Sequence, residues 1–171
     1  MTRLEQIITN EELPPLVRHK ALTSYVVDQQ SFDELGRYFY HSNKHIVRYA
    51  ADVLGKITLK KPSYIQSHKG EVLSLLTTTT NIGLKAHMAL MASKLILTED
   101  ELGELWHTLT TYVLDTDEAK SVRVCSIQGL YNLLPQCPEL KEDFSQTISE
   151  IKGEEAPSLK AKIRDVTRRR K

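Results

Sequence analysis

The sequence predicts an all-α fold, a right-handed α-solenoid of about five antiparallel helix pairs. Three observations predict it. An aliphatic–basic dipeptide recurs at Val17-Arg18, Val47-Arg48, Leu84-Lys85, Val122-Arg123 and Leu159-Lys160, at intervals of 30, 37, 38 and 37 residues. Self-similarity at a period of about 20–50 residues is the signature of stacked units that share one core. Apolar residues around each dipeptide then follow the helical period of about 3.6 residues, over an arc wide enough to be buried on more than one side. Val47, Ala51, Leu54 and Thr58 show it, with Ile46, Ala50, Val53 and Ile57 beside them. Finally, no segment alternates apolar and polar residues long enough for a strand, and the "TTTT" at 77–80 reads as a turn.

The elements follow in order, as units of about 1–30, 31–60, 61–97, 98–136 and 137–171 in a single domain. The first pair is expected over 2–9 and 14–29, with Pro14 and Pro15 at the first turn of the second helix, where a missing N–H costs little. The second spans 31–41 and 45–59, its first helix opened by a Ser31–Glu34 capping box. The third spans 62–77 and 81–97, with Pro62 at its start. The fourth spans 98–114 and 118–134, opened by a Thr98–Glu101 capping box. The last spans 138–152 and 157–168, with Pro138 and Pro157 at the two starts. Small residues recur in mid-helix at Ala50 and Ala51, Ala86 and Ala89, then Cys125, Ser126 and Gly129. Such side chains let a neighbouring helix axis come close.

The pattern Val47-Arg48, Ala50-Ala51, Leu54-Gly55 resembles the second helix of a HEAT or HEAT-like repeat, and the resemblance runs over essentially the whole chain. It implies a stack whose second helices line an inner, concave face. It also implies that an Asp in the turn and the basic residue of the second helix join adjacent units. Six residues before the five cations stand Glu12, Ser42, Thr79, Asp117 and Glu154. The resemblance therefore assigns a structural ladder to Arg18, Arg48, Lys85, Arg123 and Lys160. Asp117 would pair with Arg123, Glu12 with Arg18 and Glu154 with Lys160. The competing reading of the ladder is a row of phosphate contacts along a nucleic acid.

No other pattern asks for catalysis. There is no Gly-x-Ser-x-Gly and no glycine-rich phosphate loop, the seven glycines being scattered singly. His41 and His45 straddle a helix boundary with no third metal ligand at a recognisable spacing. Neither a metal nor a cofactor is expected. Cys125 and Cys137 form no metal spacing, and Cys125 reads as a small buried hydrophobe. Trp106, amid Leu102, Leu105 and Leu109, reads as core, and His87 as an interior histidine. No apolar run approaches the roughly 20 residues of a membrane span, and the start "MTRLEQIITNEELPP" has no secretory h-region. A reduced, cytoplasmic setting is expected.

Net charge is +1, unevenly spread: the first 150 residues hold 15 basic and 19 acidic side chains, and the end at 164–171 is basic. Tyr and Arg are enriched at interaction surfaces because they join area to a polar handle. The candidates for a partner-facing concave surface are thus Tyr49, Tyr131, Arg48, Lys85 and Arg123. The expected function is a non-catalytic protein-interaction or scaffold module. Nucleic-acid binding through the concave face and the basic C-terminus is the alternative.

Overall fold

The computed structural model describes residues 1–169, and every regular element in it is helical, with eleven α-helices among the described residues. The all-α helical-repeat architecture is the one expected. Cα proximity groups the chain into two compact units, residues 1–68 and 69–171.

The first unit holds α1 (Arg3–Ile8), α2 (Pro15–Tyr25), α3 (Gln29–Gly36), α4 (Lys44–Lys60) and the single turn α5 (Ser63–Gln66), with a 3-10 turn at Arg37–Tyr40. Helix α1 starts at a Thr2–Glu5 capping box, and α2 starts with Pro15 in its first turn. The box expected at Ser31–Glu34 lies three residues earlier: Asp28 caps α3 and accepts from the Ser31 N–H at 2.8 Å. Asp28 is extended and cannot belong to the preceding helix, so α2 ends at Tyr25 and not at 29. The core is Leu4, Ile8, Leu22, Phe32, Leu35, Phe39, Ala50, Ala51, Leu54 and Ile65, all under 6% exposed.

The first helix expected over 62–77 is two helices, α5 and a later one beginning at Lys69. The Tyr64 carbonyl, which a continuous helix would bond to the His68 N–H, accepts instead from Gln29 Nε2 at 2.9 Å. The His68 N–H turns to the Ile65 carbonyl at 2.9 Å, closing a tighter 3-10 turn. The His68 ring meets Asp33 Oδ1 at 2.5 Å. Burial alone would push the Asp33 carboxyl up, but its bonds with His68 and Gln29 outweigh that and hold it below the usual carboxylate range.

The second unit contains α6 (Lys69–Thr78), α7 (Ile82–Ala92), α8 (Glu99–Leu114), α9 (Lys120–Leu133), α10 (Lys141–Glu150) and α11 (Pro157–Arg169). Helix α9 packs against α7, α8 and α11, while α6 packs on α7 and α10 on α8. The second helices α7, α9 and α11 thus lie side by side. Gly129 permits the α9 approach: a β-carbon there would lie 3.0 Å from Leu109 Cδ1 and 3.1 Å from the Ala89 carbonyl oxygen. Helix α7 stops at Ala92, short of the expected 97, because the Lys94 and Leu95 N–H groups bond back to Met91 and Ala92 in a tightened turn. Trp106 is buried, its indole N–H donating to Asp143 Oδ2 at 2.6 Å.

Candidate functional site

The polar side chains of the second helices decide what this fold can offer a ligand. In the second unit Lys85 and Arg123 are committed to holding one repeat to the next. Lys85 on α7 reaches Glu118, just before α9, at 2.7 Å, with its ammonium 4.2 Å from the centroid of the Tyr112 ring. Arg123 on α9 is 3% exposed; its Nε donates to the Val113 carbonyl at 3.0 Å and its Nη2 meets Glu154, just before α11, at 2.6 Å. Both cations run forward to the carboxylate that precedes the next second helix. The link expected between Asp117 and Arg123 is not made: Asp117 is exposed, with its N–H on Asp115 Oδ1, and Glu154 takes its place. A carboxylate six residues back sits at the foot of the cation's own helix, whereas the guanidinium extends across to the neighbouring repeat. For the same reason Glu154 is bonded to Arg123, and Lys160 stands exposed on α11.

A second set of bonds, one running forward and one back, joins the first helices. Lys69 meets Glu101 at 2.9 Å, and Tyr112 donates to the Leu76 carbonyl at 3.0 Å. Glu101 also closes the expected capping box with Thr98. The Thr98 backbone N–H, then Lys69 and the Thr98 hydroxyl, hold its carboxyl down to about 2. Because the folded carboxyl ionises far below that of an unfolded glutamate, its contribution is whole above pH about 4.3 and is lost as pH falls toward the folded value. Glu101→Gln should therefore lower the melting temperature at pH 7, and the difference from wild type should close between pH about 4.3 and about 2 in thermal melts.

In the first unit the pattern changes. Arg18 is 7% exposed, with its guanidinium 4.5 Å from the centroid of the Tyr49 ring. Nη2 donates to the carbonyls of Asn10 and Leu13, the latter at 3.3 Å, and not to Glu12. Arg48 does not join the ladder of buried cations: it is largely exposed and lies 4.0 Å from Asp52 on its own helix. The buried arc of α4 extends to Ile46, Ala50 and Val53, which leaves Arg48 outside it; in α9 the arc includes Arg123 itself.

Of the two candidate tyrosines, Tyr49 is half-buried beneath Arg18. Tyr131 tilts against Phe144 at 6.2 Å and lines a groove of ≈ 340 Å³ with Leu134, Pro135, Pro138 and Lys141. It therefore faces the α9–α10 connection, a placement that helical periodicity alone does not reveal. Half-exposed on the second helices are His87 and Leu90 on α7, Val124 and Gln128 on α9, and Lys162 on α11. Gln128 accepts from Lys162 Nζ at 2.9 Å, which joins two of these helices at the surface. The partly buried Cys125 lies near them, its thiol pushed up by burial against the opposing pull of Lys162. His41 and His45 are exposed on either side of the α4 N-cap Asn43, consistent with the expected boundary between them. Only residues 164–169 of the basic end are described; Arg168 lies 3.9 Å from Asp165, and the end at 170–171 lies outside the described residues.

Among the described residues no helix is long and apolar enough to cross a membrane. No curated protein and no solved structure matches the chain. The family model of the HEAT repeat domain matches residues 2–170. That span takes in every helix pair, including the divergent first one, and the chain belongs to the HEAT repeat family.

Proposed function

We propose that this helical-repeat protein is a non-catalytic docking module whose partner is another protein, bound on the second-helix arc of His87, Leu90, Val124, Gln128 and Lys162. HEAT repeats generally serve protein interaction. The observation that carries the reading for this chain is the commitment of Lys85 and Arg123 to Glu118 and Glu154. Cations held by carboxylates within the fold are not offered to phosphates, so the nucleic-acid alternative loses two of its ladder contacts. What remains on the arc is mixed polar and aliphatic, as protein-binding surfaces are.

The test compares wild type with a Leu90→Glu/Val124→Glu variant. Both substitutions lie on partly exposed positions, so the melting temperature should move by only a few degrees. Wild-type protein immobilised on beads should retain specific proteins from native lysate that the variant releases. A labelled DNA duplex should show no binding at about 50 mM salt. Identical capture by both proteins would remove the arc from consideration. Duplex affinity that falls steeply with salt would replace the reading with the nucleic-acid one.

A further inference from the structure

Arg18 has the burial of a ladder cation without the carboxylate. It is 7% exposed, yet among the described residues no carboxylate lies within ion-pair distance of it, and its Nε has no hydrogen-bond partner. Removing a guanidinium from water without an anion is costly. In the second unit the equivalent cations meet Glu118, one residue before the N-cap Ala119 of α9, and Glu154, shortly before α11. The residue at the matching sequence position, before the N-cap Asn43 of α4, is Ser42, which carries no carboxylate.

The space beside Arg18 is open. A cavity of ≈ 290 Å³ is lined by Arg18, Thr9, Asn43, His45 and Tyr49, with Leu13 and Pro15 among its apolar walls. On the same turn of α2, Leu16 and Val17 are 66% and 48% exposed. Val17 is the exception among the aliphatic residues that precede the five cations: Val47, Leu84, Val122 and Leu159 are all buried, at 4%, 1%, 0% and 1%.

We infer that this cavity is a binding site for a carboxylate carried by a partner peptide, with apolar residues flanking it. The carboxylate takes the position beside Arg18 that Glu118 and Glu154 take beside Lys85 and Arg123. The planar guanidinium fork suits a carboxylate, Asn43 and His45 bring further polar groups to the wall, and the apolar walls at Ile8, Leu13, Pro15 and Ile46 can receive the flanking side chains. Glu11 also lines the cavity, so a singly charged carboxylate is favoured over a doubly charged phosphate. The site lies within the first unit and does not rest on the second-helix arc proposed above; failure of either leaves the other standing.

The experiment uses the full chain labelled with nitrogen-15. The probes are acetyl-Leu-Glu-Leu-amide, its glutamine twin and inorganic phosphate. The glutamate peptide should shift the Arg18 Nε–H, Asn43 and His45 signals saturably, with at least ten-fold higher affinity than the glutamine twin. Ser42→Glu, which supplies the carboxylate from within, should raise the melting temperature and weaken the peptide at least ten-fold. Arg18→Gln should also lose the peptide; Ser42→Glu keeps the test decisive if that variant fails to fold. Equal behaviour of the two peptides, no shift from either, or binding untouched by Ser42→Glu would overturn the proposal. Phosphate shifting these signals while the glutamate peptide leaves them still would overturn it in favour of a phosphoanion site.

Discussion

Arg123→Ala should destabilise the second unit by about 3–5 kcal/mol, the usual cost of breaking a buried ion pair by removing one partner. The guanidinium is 3% exposed and serves two repeats, through the Val113 carbonyl at 3.0 Å and Glu154 at 2.6 Å. Its loss leaves a buried carbonyl and a carboxylate without their donor, each with its own desolvation cost. Glu154 is 24% exposed, so water can partly satisfy it and the lower end of the range applies. The pair replaced together, as Arg123→Met/Glu154→Leu, should recover most of the loss, because apolar side chains of similar volume remove the unmet charges. Chemical denaturation of the single and double variants measures both. A loss under about 1 kcal/mol for Arg123→Ala would mean that the bridge is ornamental.

Gly129→Val should cost about 2–3 kcal/mol, the upper part of the range for overpacking. A β-carbon at 129 already comes within 3.0 Å of Leu109 Cδ1 and 3.1 Å of the Ala89 carbonyl oxygen. The Leu109 methyl can rotate away, but the Ala89 oxygen belongs to the α7 backbone and can move only with its helix. Gly129→Ala meets the same oxygen with one carbon and should cost about 1 kcal/mol, since better helix propensity offsets part of the strain. Thermal melts of the two variants should rank wild type above Ala above Val. Equal stability of wild type and Val would place α7 and α9 farther apart than described.

The helix pairs were legible in the sequence because each is encoded locally. Proline and capping positions mark the starts, and the stripe around Val47 or Val122 marks the buried face. The break at Ser67–His68 was not legible. It depends on Gln29 reaching the Tyr64 carbonyl, a contact between residues far apart in the chain. The ladder was half legible: the recurring cations stood out, but their partners did not. A search at a fixed short offset finds Asp117 for Arg123, whereas the structural partner Glu154 lies 31 residues ahead. Lys85 likewise meets Glu118, 33 residues ahead. Separations near one repeat length are where the contacts of a stacked protein fall, and a search within one repeat cannot find them. The different fate of Arg48 was hidden for another reason. Its dipeptide matches that of Arg123, but the buried arc of α4 is displaced toward Ile46 and Val53, and a shift of one position on a helix moves a side chain from core to solvent.

Native-state hydrogen exchange on Arg123→Ala tests most directly the claim that forward bridges join otherwise local repeats. Each repeat in such a stack depends chiefly on its neighbours. Loss of the bridge to Glu154 should therefore speed exchange in α10 and α11 by about a hundred-fold or more, at about 1.4 kcal/mol per ten-fold, while α6 and α7 keep most of their protection. A uniform loss of protection across the second unit, or none in α10 and α11, would contradict the account.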